Sequence, residues 1–333
     1  MEMFSPKVPL CVHPLPFLCL LKYRQKLSEQ VHDSSQLEVN RHAADQSAGL
    51  SNVRVQPVNK SALGLIREFE GGETSATLQR IEYNHLMADH DFWVPNSGQL
   101  ELEDREIHVW RADLDGEKME LCRFEETLAP AERARADRFV FGQDRDRYVA
   151  ARGALRELLG RYLNCSPAHV KFDYNSKGKP SVRAEFNKPS VQFNISHSHG
   201  LALLAFALGR NLGIDVEFVR PEYPADEIAE RYFSPQEVME LRVLPPAMRA
   251  EGFYLCWTRK EAYIKARGQG LHIPLQSFNV SLTPGQPERL ESADSCRWSI
   301  WSLYPDPLYA GALVAEGQHL RLRQWAWKTG DGS

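Results

Sequence analysis

The sequence lacks several features that would assign it to a whole class of proteins. Its six cysteines, at positions 11, 19, 122, 165, 256 and 296, are scattered, and no two have the C-x₂-C spacing of a thiolate metal site. This distribution is also unlike a disulfide framework, so it predicts reduced thiols in a cytoplasmic protein. The 40 basic residues do not exceed the 44 acidic ones. Because strong nucleic-acid binders usually carry an excess of basic residues, we expect no nucleic-acid partner.

No apolar run is long enough to cross a membrane. The strongest candidate, residues 8–21, is short and contains Pro9, Pro14 and Pro16. A spanning helix needs ~20 residues, and three prolines would break a helix of this length. Basic residues follow the run, and no small-residue cleavage site is present. We therefore interpret it as neither a membrane anchor nor an export signal.

Tryptophan is missing from the first part of the chain. All seven tryptophans lie after position 92, and residues 1–86 show few periodic apolar runs. Two explanations stay open. Residues 1–86 are either a poorly ordered, dispensable extension, or translation begins at Met87.

The rest of the chain has ordinary globular composition and a mixed pattern of elements. Strands are predicted at 107–112, 191–195, 201–208, 212–218, 298–304, 309–315 and 320–327. Helices are predicted at 130–139, 144–163, 224–232, 235–241 and 253–267. The Gly-Arg-Asn turn at 209–211 favours a hairpin between two of these strands. Because several strands follow one another without an intervening helix, the pattern predicts an α+β fold.

A first candidate site is the segment G-I-D-V-E at 213–217. Alternate side chains of a strand share a face, so Asp215 and Glu217 project together while Ile214 and Val216 face a core. Paired carboxylates at this spacing are ligands that suit Mg²⁺. The alternative is an edge strand with a solvated polar face.

The second candidate is W-T-R-K-E-A-Y-I-K at 257–265. Thr258 is predicted to cap the helix, with Glu261 completing a capping box. Glu261 and Lys265 lie four residues apart and so share one helix face. The alternative is a surface ion pair. Combined with the strand, however, the helix could supply a three-carboxylate Mg²⁺ site of Asp215, Glu217 and Glu261, with Lys265 adjacent, as is usual for phosphoryl groups.

The two segments and their separation resemble the 4′-phosphopantetheinyl transferase superfamily of the surfactin-synthetase-activating (Sfp) type. That family's pattern is G-[IV]-D-x-E followed, after a spacer, by [FW]-[SCT]-x-K-E-[SA]-x-x-K. Further matches are G-K-P at 178–180, F-N-I-S-H-S at 193–198, R-Y-F-S at 231–234 and G-Q-G-L at 268–271. The resemblance covers roughly residues 105–325 in the right order, and residues 1–86 have no counterpart.

The resemblance implies two similar α+β halves, residues 87–210 and 211–333, related by a pseudo-twofold with coenzyme A in the cleft between them. It implies a monomeric enzyme that transfers the phosphopantetheine arm of coenzyme A to a serine of an apo acyl or peptidyl carrier protein. The other product is adenosine 3′,5′-bisphosphate. The sequence leaves open fatty-acid, polyketide, nonribosomal-peptide and aminoadipate-reductase carriers.

The resemblance also implies roles for single residues. Asp215, Glu217 and Glu261 would hold Mg²⁺ on the pyrophosphate, and Glu261 is the candidate base for the carrier serine, directly or through water. Lys265 would bind the pyrophosphate and stabilise the departing phosphate. The residues expected to contact the nucleotide are His197 at the 3′-phosphate with Ser196 beside it, Lys179 and Pro180 at the adenine, and Arg147 and Arg152 on the long helix.

Two other function classes are weighed against the transferase. A non-catalytic module that binds coenzyme A or a carrier protein would be expected to lose Asp215, Glu261 or Lys265, and all three are present. An Mg²⁺-dependent phosphohydrolase would release free phosphopantetheine without an acceptor. Outside these motifs, we interpret Glu237 as a surface helix residue.

Overall fold

The computed structural model describes residues 93–96, 100–116, 118–176, 178–187, 190–220, 222, 225–269 and 273–328. The proposed extension at 1–86 with its apolar run, the predicted helix start at Pro224, and Gly270 and Leu271 of the G-Q-G-L match lie outside the described residues. The division of the chain at 86 and 211 stays a prediction.

The described residues contain six α-helices and twelve strands. The helices are α1 (Lys118–Thr127), α2 (Pro130–Ala136), α3 (Gly142–Leu163), α4 (Ala225–Tyr232), α5 (Pro235–Val243) and α6 (Pro246–Arg267). The strands are β1 (Val94–Pro95), β2 (Glu106–Asp113), β3 (Phe172–Tyr174), β4 (Pro180–Val182), β5 (Val191–Ser198), β6 (Leu201–Leu208), β7 (Leu212–Phe218), β8 (Asn279–Val280), β9 (Leu290–Glu291), β10 (Trp298–Leu303), β11 (Tyr309–Glu316) and β12 (Arg321–Trp327). The predicted α+β class is confirmed. Helix α1 has no counterpart among the predicted elements.

A five-stranded sheet forms the centre of the fold, in the order β1-β12-β2-β6-β5. Its strand β6 is apolar on both faces because each face meets a different core. Leu204 and Phe206 pack with α3, whereas Leu201 and Leu203 pack with side chains of β7 and β11. The sheet is therefore buried between a helical layer and a second sheet.

The second sheet has three antiparallel strands in the order β10-β11-β7. The predicted hairpin between β6 and β7 is therefore wrong, although both strands have the predicted bounds. Strand β6 pairs with β2 and β5, while β7 pairs with β11, from Leu212↔Ala315 to Phe218↔Tyr309. The turn at 209–211 carries the chain from one sheet into the other, a choice set by long-range packing that the turn residues do not encode.

Helix α6 packs on β7 and β11, on the face that points away from the core between the sheets. It begins at Pro246, with proline in the first turn, and ends where Gly268 adopts a φ of 65°. The helix is thus longer than predicted, and Thr258 is not its N-cap. Thr258 is fully buried in mid-helix, where its hydroxyl donates to the carbonyl of Tyr254 at 2.9 Å.

The last strand returns to the first sheet. Strand β12 lies between β1 and β2 and is parallel to both. In the described part of the chain, no helix combines the length and apolar character that a membrane span requires. The four cysteines within it, Cys122, Cys165, Cys256 and Cys296, are free thiols.

Candidate active site

Asp215 is the buried centre of the candidate site. It lies on β7, and only 4% of its surface is exposed. Its Oδ1 accepts hydrogen bonds from Lys265 Nζ at 2.6 Å and from Ser196 Oγ at 2.8 Å. Its Oδ2 is buried and has no hydrogen-bond partner. Because a buried carboxylate oxygen is costly without a partner, this atom is suited to a ligand.

Gly213 explains how α6 comes close enough for these contacts. A Cβ at this position would lie 2.2 Å from the carbonyl oxygen of Ala262 and 2.3 Å from the nitrogen of Ala266. Both are backbone atoms, so only glycine allows the helix to lie directly on the strand. One turn of α6 therefore presents Glu261 and Lys265 to Asp215.

The charges of the site interact strongly. Burial raises the pKa of Glu261 to about 8, and the neighbouring carboxylates of Asp215 and Glu217 act in the same direction against the opposing effect of Lys265. Burial lowers the pKa of Lys265, but the attraction of Asp215 and Glu261 outweighs burial, so this pKa is raised. The site thus holds an excess of negative charge.

These side chains fit the expected Mg²⁺ in chemical terms. They offer carboxylate oxygens, one of them the unpartnered Oδ2 of Asp215, and a cation would relieve the mutual repulsion that raises the pKa of Glu261. Among the residues that the structure describes, however, no three His, Cys, Asp or Glu side chains form a cluster able to hold a metal ion. The ligand set of Asp215, Glu217 and Glu261 therefore stays a prediction.

Three polar side chains of β5 join the two sheets at the site. We call Asn194, Ser196 and Ser198 the β5 ladder; they share one face of the strand, and all three are buried. Strand β5 was predicted to end at Ile195, so the register of Ser196 and Ser198 within a strand was missed. The contacts of the ladder with β7 are Ile214 N to Asn194 Oδ1 at 2.8 Å, Ser196 Oγ to Asp215 Oδ1 at 2.8 Å, Ser198 Oγ to Glu217 Oε2 at 2.8 Å, and Phe218 N to Ser198 Oγ at 3.2 Å.

His197 lies on the opposite face of β5 from the ladder and is exposed. Ser196 faces Asp215 and Lys265, whose Nζ donates to Ser196 Oγ at 3.1 Å, and its predicted place beside His197 at the nucleotide stays a prediction. Ser196 and His197 therefore face different parts of the molecule.

Lys179 and Pro180 lie at the start of β4, close to the end of α6. Lys179 Nζ donates to the carbonyl oxygens of Lys265 at 2.8 Å and Leu212 at 3.1 Å. Burial and the nearby Lys265 lower the pKa of Lys179 to about 8. The structure therefore brings this residue to the backbone of β7 at Leu212 and of α6 at Lys265.

The two arginines predicted to contact the nucleotide are both paired with carboxylates. Arg147 forms a bidentate pair with Asp115, with Nε and one terminal nitrogen each 2.7 Å from a carboxylate oxygen. Arg152 is 8% exposed and donates through Nε to Glu132 at 2.6 Å. Arg152 thus has a structural contact that sequence reasoning missed.

The structure also overturns the interpretation of Glu237 as a surface residue. Glu237 is 1% exposed and pairs with the fully buried Lys260 at 2.8 Å. It also accepts from the nitrogens of Ser234 and Val280 at 2.8 Å each. The S-x-x-E pattern at 234–237, a capping box in the structure, was the available signal.

Comparison with known proteins places this site in a family. Residues 211–317 match the 4′-phosphopantetheinyl transferase superfamily, and residues 115–208 match the 4′-phosphopantetheinyl transferase N-terminal family. The chain is 40% identical over 233 residues to the 4′-phosphopantetheinyl transferase HetI of Nostoc sp. The aligned residues cover 70% of this chain and 97% of that protein. This chain belongs to the 4′-phosphopantetheinyl transferase superfamily.

Two further relatives extend the comparison. The 4′-phosphopantetheinyl transferase Sfp of Bacillus subtilis is 32% identical over 194 residues, covering 58% of this chain and 84% of that protein. The human L-aminoadipate-semialdehyde dehydrogenase-phosphopantetheinyl transferase is 30% identical over 168 residues, which cover 47% of this chain and 54% of that protein. In this phosphopantetheinyl transferase chain, Lys179 and Ser196 come from one matched segment, and Asp215 and Lys265 come from the other.

Proposed function

We propose that the chain transfers the 4′-phosphopantetheine arm of coenzyme A to a serine of an apo acyl or peptidyl carrier protein in an Mg²⁺-dependent reaction. Adenosine 3′,5′-bisphosphate is the other product. The observation that carries the proposal is Asp215, a buried carboxylate held by Lys265 and Ser196 through one oxygen, with the other oxygen unpartnered. The free thiols among the described cysteines support a cytoplasmic enzyme, and we propose that it acts as a monomer.

In the proposed reaction the serine oxygen attacks the phosphorus next to the pantetheine arm. The bond from that phosphorus to the bridging oxygen breaks, and the bridging oxygen leaves with the bisphosphate. Mg²⁺, held by Asp215, Glu217 and Glu261, would supply charge neutralisation on the pyrophosphate. Glu261 accepts the serine proton, directly or through a water molecule.

Lys265 stabilises the negative charge that develops on the leaving group. Its side chain is 29% exposed and its ammonium is oriented by Asp215, so little reorganisation accompanies the reaction. On the nucleotide side, the exposed His197 is the proposed contact of the 3′-phosphate. Lys179 and Pro180 are proposed at the adenine, and Arg147 and Arg152 are proposed to contact the nucleotide.

The direct test is incubation of the protein with coenzyme A, Mg²⁺ and a panel of apo carrier proteins. We expect at least one carrier to gain the mass of one phosphopantetheine arm in intact-mass measurements. The same arm should be absent from a carrier whose acceptor serine is replaced by alanine. Binding of coenzyme A without any transfer would instead favour a non-catalytic module, and free phosphopantetheine would identify a hydrolase.

A further inference from the structure

The turn between β3 and β4 covers the end of helix α6. Lys179 Nζ, at the end of this turn, donates to the carbonyl of Lys265 at 2.8 Å, one of the last carbonyls of the helix. Asn175 Nδ2 donates to the carbonyl of Gly268 at 3.4 Å. The last carbonyls of a helix lack the usual partner four residues on and carry partial negative charge, so an ammonium and an amide are suitable partners. The Lys265 carbonyl accepts from the Gly268 nitrogen at 3.1 Å as well as from Lys179.

Hydrogen bonds join the described residues of this turn to one another. Asn175 Oδ1 accepts from the nitrogen of Lys179 at 2.9 Å, and the nitrogen of Asn175 donates to the carbonyl of Lys179 at 3.1 Å. Gly178, with a φ of 78°, donates to the carbonyl of Asn175 at 2.9 Å. The two residues that reach α6, Asn175 and Lys179, are therefore hydrogen-bonded to each other.

Lys179 touches β7 as well as α6. Its second contact, at 3.1 Å, is the carbonyl of Leu212, the first residue of β7. One ammonium thus links the strand that carries Asp215 to the helix that carries Lys265 and Glu261. It approaches from a hairpin that belongs to neither element.

We propose that Lys179 is a positioning residue, whose ammonium fixes the last turn of α6 against β7 and so sets where the side chain of Lys265 lies. The inference rests on the proposed transferase function for its kinetic consequence, but its structural part is independent of activity. It assigns the ammonium to backbone carbonyls of the catalytic elements, a role distinct from contact with the nucleotide.

The test compares Lys179→Met with a matched control, Lys171→Met. Methionine keeps the apolar stem of Lys179 and removes both hydrogen bonds. Lys171 precedes the same hairpin, is exposed, and lies over the ring of Phe186 rather than against α6. Amide hydrogen exchange is measured on the substrate-free proteins, for the peptide that covers residues 262–268.

We expect exchange of this peptide to increase about tenfold in Lys179→Met, the scale of a lost charged hydrogen bond, and to stay unchanged in Lys171→Met. In the transfer assay we expect kcat to fall by about tenfold, again the scale of one such bond. The ratio of the KM values for coenzyme A and dephospho-coenzyme A should stay as in the wild type.

Unchanged exchange at 262–268 in a folded Lys179→Met protein would overturn the proposal. So would a rise of KM that is confined to coenzyme A with kcat intact, which would make Lys179 a phosphate ligand. If the methionine variant does not fold, Lys179→Gln, which replaces the ammonium by a neutral amide, is measured instead and should show faster exchange than wild type and Lys171→Met. If the wild-type protein has no transferase activity, the proposed function is wrong. The exchange measurement would still show whether Lys179 fixes the last turn of α6.

Discussion

At the residue scale, Asp215 is the position on which the proposed chemistry depends most. Replacing it with alanine removes the partner of Lys265 and the charge that would attract Mg²⁺. We expect Asp215→Ala to abolish carrier modification and to keep the fold, checked by intact mass of the carrier and by circular dichroism. EDTA should abolish the wild-type activity, and added Mg²⁺ should restore it. Full activity in excess EDTA would contradict the metal assignment.

Gly213 is a second sensitive residue, for steric reasons. An added Cβ would meet backbone atoms of α6 at 2.2 and 2.3 Å, which cannot move without displacing the helix. We expect Gly213→Ala to destabilise the fold by about 3 kcal/mol, the scale of core overpacking, and to remove activity. Gly142→Ala is the control, because nothing lies within 4 Å of its added Cβ. Denaturant unfolding measures both, and equal stability of the two variants would contradict the proposed packing.

His197 tests the nucleotide side of the site. Its side chain is exposed on the face of β5 opposite Asp215, so its replacement should leave the carboxylate cluster intact. We expect His197→Ala to raise KM for coenzyme A more than for dephospho-coenzyme A, which lacks the 3′-phosphate. A charged hydrogen bond is worth ~1.5–3 kcal/mol, or roughly tenfold to a hundredfold. Steady-state kinetics with both substrates measure this. An equal rise of KM for the two substrates would show that His197 does not contact the 3′-phosphate.

The residues that sequence reasoning found and missed differ in one physical respect. Asp215 and Lys265 were found because local spacing and family motifs mark them. The buried pair of Lys260 and Glu237 was missed, because a lysine and a glutamate far apart in sequence are ordinarily both solvated. Only the tertiary fold supplies the carbonyls of Leu275 and Phe278 that accept from Lys260.

At the scale of elements, α2 and α3 are joined by a buried carboxylate with two arginines. Glu132 on α2 is 3% exposed and accepts from Nε of Arg152 at 2.6 Å and Nε of Arg156 at 2.7 Å. We expect Glu132→Gln to destabilise the protein by ~3–5 kcal/mol, because two buried cations lose their counterion. The control is Glu230→Gln, which breaks an exposed pair with Arg242 between α4 and α5 and should cost ~0–1 kcal/mol.

The same cluster makes the stability of the folded protein depend on pH. Burial acts to raise the pKa of Glu132, but Arg152 and Arg156 outweigh it, so the folded pKa lies below its ordinary value of 4.5. The contribution of Glu132 to stability is therefore complete above that value and is lost as the pH falls through the folded pKa. Unfolding midpoints of wild type and Glu132→Gln should converge in acid. A constant difference between the two down to low pH would contradict this assignment.

Element bounds could be predicted where the pattern is local, and pairing could not. Strands β6 and β7 have the predicted bounds, since β6 is a continuous apolar run and apolar residues alternate along β7. Their assignment to different sheets depends on β11, whose partner residues lie about a hundred positions away in sequence. Helix α6 was predicted too short because residues 246–252 carry few apolar side chains, although Pro246 and Gly252 are accommodated by its packing.

At the scale of the whole molecule, the N-terminal boundary can be tested by truncation. We expect a chain that starts at Met87 to fold and to modify carriers near the full-length rate, because the motifs of the site begin well after it. A chain that starts at about residue 115 should not fold, since it lacks β2, which pairs with β12 on one side and β6 on the other. Melting curves and the transfer assay measure both. An insoluble Met87 chain beside an active full-length chain would place the boundary earlier.

The position of β12 also has a consequence for synthesis on the ribosome. Arg323 on this strand contacts Glu106 on β2, 217 residues earlier in the chain. At ~5–20 residues per second, roughly 10–40 s pass between the emergence of the two strands. Until β12 emerges, β2 can pair only with β6, and its other backbone edge is open to water and to other nascent chains. A message cut short before codon 321 therefore yields a chain whose central sheet lacks β12, even though all the site residues are present.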